Sequence, residues 1–361
     1  MLRGQRNSGD RAGCPGYVRS VRGESDRSAE IGTLVDQVIR HYVFPDIAEE
    51  ICRVLRERLD AGAYRALADE DFAAAVTEDL QSVNGDKHLR LRCSVEPVRP
   101  QSDAVLDDHD RRLQEAELAG HGFAKVERLA GNVGLLDVRA LFEASVSGAA
   151  AGAAMNLVAS ADVLLIDLRR NGGGDPAMVA LLCSYLFDEP THLNDLYFRS
   201  DDSITQYWTH AFVPGAKFGG SKPVYVLTSG ETFSGAEELC YNLQQLRRAS
   251  LVGETTRGGA HPGNRHRITD HLVATVPTGR AINPVSGTNW EGVGVTPDIA
   301  VAAEHAFEVA YQRALEHVLT LSAHGARHQV AEQAQQAFAE RVLETSRAQD
   351  GQRSTNSAIN R

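Results

Sequence analysis

Apolar residues at helical spacing near the start of the chain, then hydrophobic strands alternating with helices from about Phe123, predict an α/β protein with a small N-terminal helical bundle. The run Val163-Leu164-Leu165-Ile166 is the sharpest observation. It is apolar on both faces of a pleat, as a central strand covered on both sides must be. With 361 residues, 42% of them hydrophobic and 24% charged, the chain has the apolar material for a full core, which excludes a wholly disordered or fibrous protein.

Residues 1–28 are rich in Arg, Gly, Ser and Asp and too polar to offset the entropy of ordering, so they read as a disordered arm. The bundle is expected over 29–85. Ile31, Leu34, Val35, Val38, Ile39 and Tyr42 mark its first helix. Ile47, Ile51, Leu55 and Leu59 mark the second, after a break at Pro45 with Asp46 placed as its cap, and a third amphipathic segment runs from about Asp69 to Val83. Gly85-Asp86 ends that pattern and Leu89 to Val95 alternates like a strand, opening a core over 86–325 in which 93–122 read as a linker. Further strands are expected at Val133–Val138, Val163–Leu168, Leu196–Arg199, Pro223–Thr228, Leu251–Glu254 and Leu272–Val276, with helices at 142–159, 176–187, 234–248 and 302–322. Residues 326–361 begin as a helix (Val330, Ala334, Phe338, Val342) and end in a polar tail.

A formal net charge of −11 leaves no basic footprint for nucleic acid or an anionic membrane, and it weighs against strongly acidic substrates unless the charge is unevenly distributed. The five cysteines are scattered and form no CxxC pair, so neither a disulfide framework nor a thiolate zinc site is expected. The first 30 residues lack the apolar core of a signal peptide and no run of about 18 apolar residues occurs, which predicts a cytoplasmic protein that does not span a membrane.

Three stretches concentrate residues able to do chemistry. Asp167-Leu168-Arg169-Arg170-Asn171-Gly172-Gly173-Gly174-Asp175-Pro176 links the buried strand to a helix. It is either a tight turn or one whose exposed N–H groups, beside a helix N-terminus, hold an anion. It matches neither GxGxxG nor a P-loop, so nucleotide binding has little support. Thr228-Ser229-Gly230-Glu231-Thr232-Phe233-Ser234-Gly235-Ala236-Glu237-Glu238 again joins a strand to a helix. Ser234 there is either a capping residue or a nucleophile beside the helix N-terminus, with Gly235 removing bulk next to it. The two turns together offer two donors to one oxyanion. A serine nucleophile needs a base, and His88 at the bundle–core junction and His261 in a glycine-rich loop are the candidates. His261, His266 and His271 are spaced by five, which alternates faces on a strand, so no metal site is expected. In the third stretch, Asn289-Trp290-Glu291-Gly292-Val293-Gly294, Glu291 is either a surface carboxylate or the group that orients an imidazole.

Taken in order, DLRRNGGG, LTSGETFSGAEE, VGETTRGGAHPG, GRAINP and NWEGVGVTPDI resemble the carboxy-terminal-processing (tail-specific) serine peptidases, and within them the branch related to interphotoreceptor retinoid-binding protein and the tricorn protease core. The likeness covers about residues 30–302. It implies a ClpP/crotonase-like spiral of β-β-α units behind the helical bundle, and the gap from Leu91 to Val133 is too short for the PDZ domain many members carry. The lysine-dependent branch places its catalytic lysine in the loop where this chain has Gly259, and none of its four lysines lies there. The tricorn-like branch implies instead Ser234 as nucleophile, His88 as base (His261 as the alternative) and Glu291 as the orienting carboxylate. Lys87 stands where that branch has a serine. The same matching gives the oxyanion donors as Gly235 and one glycine of Gly172–Gly174, with Gly172 and Gly173 the candidates. The implied activity is serine-type endopeptidase hydrolysis of peptide or unfolded polypeptide, without cofactor, with a homo-oligomer as an open option. Two rivals share the fold: a non-catalytic lipophile (retinoid-like) binding module, and a crotonase-type acyl-CoA enzyme for which the motifs offer no nucleotide site.

Overall fold

The computed structural model of the chain describes residues 26–98, 105–321, 324 and 327–340; the expected N-terminal arm up to residue 25 and the polar tail lie outside the described residues. The chain opens with helices α1 (Ser28–His41), α2 (Pro45–Asp60) and α3 (Asp69–Gln81). Pro45 opens α2 at its first position, where the missing N–H costs nothing. Asp46 lies in the first turn rather than at the cap, which Phe44 occupies with extended backbone. The apolar stripes of the three helices, among them Leu34, Val38, Ile51, Leu55, Phe72 and Val76, share one buried cluster.

A six-stranded sheet forms the centre of the molecule. In spatial order it contains β12 (Ile299–Ala300), β8 (Ser250–Gly253), β7 (Val224–Thr228), β4 (Val163–Asp167), β3 (Val133–Val138) and β2 (Phe123–Leu129), parallel except for the β2–β3 pair. Val133, Leu135, Val163 and Leu165 face α8 (Ala306–Thr320). Leu136, Val138, Leu164 and Ile166 face α5 (Ala144–Val158), α6 (Pro176–Ser184) and α7 (Gly235–Gln245). Burial on both faces is why these strands read as unbroken apolar runs.

Two small antiparallel sheets flank this core. One orders β1 (Arg90–Cys93), β10 (Leu272–Pro277) and β9 (Gly263–Arg267); the other orders β11 (Gly279–Ile282), β5 (His192–Phe198) and β6 (Ser203–Trp208). The inner face of the first sheet, Leu91, Leu272, Ala274 and Val276, is buried in the same cluster as the helical bundle. The bundle therefore clamps the strand that follows His88.

Several elements depart from the sequence expectation. Residues 93–122 are not a structureless linker, because Val105–Leu118 forms α4. Arg111–Leu118 is made of strong helix formers with few apolar positions, so propensity forms the helix without an amphipathic pattern to announce it. Strands β6 and β9 expose most of their side chains and so carry no alternation of apolar and polar residues. Residues 327–340 are helical where a helix is expected and are no departure.

Leu91 is buried between bundle and sheet, so Leu91→Ala should destabilise the protein by about 2–5 kcal/mol in urea unfolding. Ile204→Ala, on the exposed face of β6, should change it by less than about 0.5 kcal/mol.

Candidate active site

Strands β4 and β7 are adjacent and parallel, paired from Leu164–Val224 to Asp167–Leu227, so the segments leaving their carboxyl ends emerge side by side. Such ends are where open parallel sheets place their ligand sites. From β4 comes the glycine turn into α6, and from β7 comes the elbow that ends in Ser234 and opens α7.

Backbone contacts lock the two turns together. Asn171 is fully buried; its Nδ2 donates to the Val138 carbonyl (3.0 Å), its Oδ1 accepts from the Gly173 N–H (2.8 Å) and its carbonyl accepts from the Phe233 N–H (3.0 Å). Thr232 Oγ1 donates to the Leu168 carbonyl at 2.9 Å. Gly173 has φ +102°, and a Cβ there would sit 2.7 Å from Ser234 Cβ and 2.8 Å from the Gly235 nitrogen, so only glycine allows this approach. Gly172, Gly174 and Gly235 border the cavity beside Ser234, whereas Gly173 lies behind them with its N–H committed to Asn171. The expected donor Gly173 thus has its N–H turned to Asn171, and Gly174 likewise abuts Gly235, with its nitrogen 3.0 Å from where a Cβ on Gly235 would lie.

Ser234 adopts φ 56° and ψ −125°, a conformation uncommon for a residue with a Cβ. Glu237 holds it there. One carboxylate oxygen accepts from the N–H groups of Ser234 (2.8 Å) and Gly259 (2.9 Å), the other from Thr256 Oγ1 (2.5 Å) and the Gly258 N–H (2.6 Å). Glu237 is fully buried, and burial raises its carboxyl above the ordinary value despite these four donors. Sequence reading passed over Glu237. Its signal was the Ser-x-x-Glu spacing of a capping box, here extended to a second loop.

His88 Nε2 lies 3.0 Å from Ser234 Oγ, although 146 residues separate the two in sequence. The imidazole is buried and stacks on Phe233 with ring centroids 4.5 Å apart. Gly259 clears its space: a Cβ there would fall 2.8 Å from His88 Cε1 and closer still to the Phe233 ring. Trp290 Nε1 donates to the Gly259 carbonyl (2.8 Å) and pins that loop from the other side. Burial, reinforced by Arg90, His261 and Arg257 and opposed by Asp86, lowers the His88 pKa to about 4, so the ring is neutral at pH 7.

Glu291 does not reach His88, whose Nδ1 is buried without a hydrogen-bond partner. Instead Glu291 accepts from the Ala260 N–H and lies 3.5 Å from His261 Nδ1, with its other oxygen buried and unpaired. His261 is not beside the serine: its Nδ1 lies 2.8 Å from Asp86 Oδ2, the oxygen that also accepts from the Tyr42 hydroxyl (2.9 Å). Asp86 Oδ1 accepts the backbone N–H of His88 at 3.0 Å. Burial opposes ionisation of Asp86, but His261, Tyr42 and His88 outweigh it and hold the carboxyl below its ordinary value. Burial and the neighbouring Asp86 push Glu291 up to about 7. The carboxylate whose charge acts on His88 is therefore Asp86, and Glu291 belongs to a second layer built on His261. One ligand-type atom from each of Asp86, His261 and Glu291 lies within 4.8 Å of the others, and the contacts among them include one of hydrogen-bond length. Lys87 points elsewhere, donating to the Arg257 carbonyl.

Among the described residues no helix is long and apolar enough to cross a membrane. The profile of peptidase family S41 matches residues 132–301, and that of the N-terminal domain of peptidase S41 in eukaryotic IRBP matches residues 25–118. The carboxy-terminal-processing protease of Bartonella bacilliformis is 27% identical over 143 residues, covering 38% of this chain and 30% of that protein. The tail-specific protease of Haemophilus influenzae is 26% identical over 216 residues, covering 55% of this chain and 28% of that protein. The chain thus spans less than a third of the length of these curated relatives. Among solved structures, a lipoprotein from Streptococcus agalactiae shares the fold with TM-score 0.53 at 16% identity, covering 83% of this chain and 99% of that one. With its bundle matched by the N-terminal profile and its core matched from the start of β3 to beyond Glu291, the chain belongs to peptidase family S41.

Proposed function

We propose that the chain is a serine-type peptidase that cleaves peptide bonds through an acyl-enzyme on Ser234. The observation that carries this reading is the 3.0 Å contact between His88 Nε2 and Ser234 Oγ, made by a neutral imidazole and a serine held at positive φ. Neutral His88 takes the hydroxyl proton as Ser234 attacks the substrate carbonyl. The developing oxyanion lies against the N–H groups of Gly235 and of Gly174 or Gly172 at the rim of the cavity. The imidazolium formed is balanced by Asp86, which also fixes the His88 backbone; His261 holds Asp86 in turn, with Glu291 beside His261. His88 then returns the proton to the leaving amine, and water repeats the sequence on the acyl-enzyme. The residues that carry out these steps need no cofactor. The parallel strands β3, β4 and β7, each followed by a helix, support a ClpP/crotonase-like core, with the three-helix bundle as a separate N-terminal domain. Among the described residues, only α4 and a 3-10 turn at Gly120–Gly122 lie between β1 and β2, which supports a core without a PDZ insertion. The substrate class is peptide or unfolded polypeptide.

Labelling with a fluorophosphonate probe tests the reading directly: the wild type should be labelled and Ser234→Ala should not. In peptide hydrolysis, Ser234→Ala and His88→Ala should each lower kcat by roughly 10⁴-fold or more, and the double variant should be no worse than either single, because residues acting as a unit give non-additive losses. Multiplicative losses would dissolve the dyad.

Glu237→Ala strands four buried donors at about 1–3 kcal/mol each. It should lower stability in urea by about 3 kcal/mol or more and slow probe labelling, while Glu237→Gln should show a smaller loss of both.

The pH dependence of labelling follows from the depressed pKa. His88 is the active base when unprotonated, so the rate should be flat from about pH 8 down to about 5.5 and fall only with an inflection near 4. An inflection at the ordinary histidine value of 6.5 would contradict the buried, neutral base.

A further inference from the structure

The cavity that Ser234 and His88 border, about 390 Å³, has a cationic wall. The wall is one face of the β1–β10–β9 sheet. Arg90 is paired with Thr275 and Thr275 with Arg265; Arg92 is paired with Val273 and Val273 with Arg267. Residues paired directly across strands share a face, as do residues two apart along a strand, so all of these stand opposite the face buried in the bundle. Arg267 is neutralised by Asp270. Arg90, Arg92 and Arg265 line the cavity, and Arg257 joins them from the loop behind His88, its guanidinium 5.0 Å from the centroid of the Phe233 ring.

No carboxylate among the described residues forms an ion pair with any of these four. Elsewhere in the chain Arg27, Arg58, Arg139 and Arg169 each have one. Arg90 Nε is buried with no hydrogen-bond partner. Burial first, and then the nearby Arg92, Arg257 and Arg265, lower the Arg90 pKa to about 10. In a chain of net charge −11, three arginines on the cavity wall and Arg257 on the adjoining loop stand together without a carboxylate partner among the described residues. The cavity's own carboxylate, Glu238, is pushed up to about 8 by burial first and by Asp175, and it forms no ion pair with these arginines.

We infer that the Arg90, Arg92, Arg257 and Arg265 cluster binds a carboxylate of the substrate peptide, carried within a few residues of the bond presented to Ser234. This rests on the peptidase reading of Ser234 and His88 for its orientation, and it makes acidic peptides preferred substrates of a strongly acidic protein. A side-chain carboxylate and a free chain end offer the same chemistry to guanidinium groups, and the test separates them.

The full chain carrying Ser234→Ala is titrated with three fluorescent peptides of one neutral scaffold: amidated at its end, ending in a free carboxylate, and amidated with one internal glutamate. Anisotropy is read at low and high sodium chloride. At least one carboxylate peptide should bind about tenfold or more tighter than the neutral amide, with the advantage shrinking in salt. The peptide that gains identifies the source of the anion. The advantage should vanish when Arg92→Gln and Arg265→Gln, both at exposed positions, are added. Equal binding of all three peptides, no binding of any, or a preference that survives those substitutions overturns the inference. Probe labelling of wild-type Ser234 needs no carboxylate and keeps the two readings apart. Labelling without acid preference removes only the arginine site, and acid preference without labelling removes only the hydrolase.

Discussion

The buried carboxylate of Glu237 is the constraint on which the rest of the site depends. It sits on the first turn of α7 and accepts from four donors, two of them from the backbone of a loop that leaves β8. Three separate pieces of chain are thereby fixed to one point: the elbow at Ser234, the Thr256–Gly259 segment and, through Gly259, the space in which His88 and Phe233 stack. A charge removed from water at this cost persists only where its donors surround it, and this satisfied arrangement leaves little room for alternatives. The left-handed conformation of Ser234 is held by that bond and by the Phe233 N–H to the Asn171 carbonyl.

The electrostatics are layered outward from the same point. His88 is kept neutral by burial and by nearby cations, with Asp86 as the opposing charge. Behind Asp86, His261 and Glu291 share a buried volume, and Glu291 is displaced upward by burial first and by the Asp86 charge second. Toward solvent, the uncompensated arginines of β1 and β9 turn an acidic chain into a cationic surface at the mouth of the cavity. The summed charge therefore says little about what this cleft attracts, whereas the distribution of charge over one sheet face says a great deal.

That sheet works on both sides. Leu91, Ala274, Val276 and Leu272 pack into the helical bundle, and the alternate residues of the same strands meet the cavity. Bundle packing thus sets the register of β1, and the register of β1 sets where His88 stands. A domain that contributes few residues to the chemistry still determines its geometry.

The α/β class, the central strand at Val163–Asp167 and the helices following both turns were legible in the sequence, because burial on two faces writes unbroken apolar runs and a helical stripe writes its period. The types and turn positions of Ser234, His88 and the glycines were legible too, since strand-to-helix turns depend on local residue chemistry. Strands β6 and β9 left no trace, because exposed strands need no apolar face, and α4 was hidden because its helix rests on propensity rather than pattern. Partner choice among the buried carboxylates was not legible. The sequence offered His88 as base with His261 as the alternative and Glu291 as the orienting carboxylate, and singled out neither Asp86 nor Glu237. The folded chain brought His88 within 3.0 Å of Ser234 across 146 residues, and it alone assigned His261 to Asp86 and the Glu237 carboxylate to the Ser234 N–H and the Gly258–Gly259 loop. Local composition determines which elements form, but hydrogen-bond and charge partners are set by distances of a few ångströms that arise only when those elements pack.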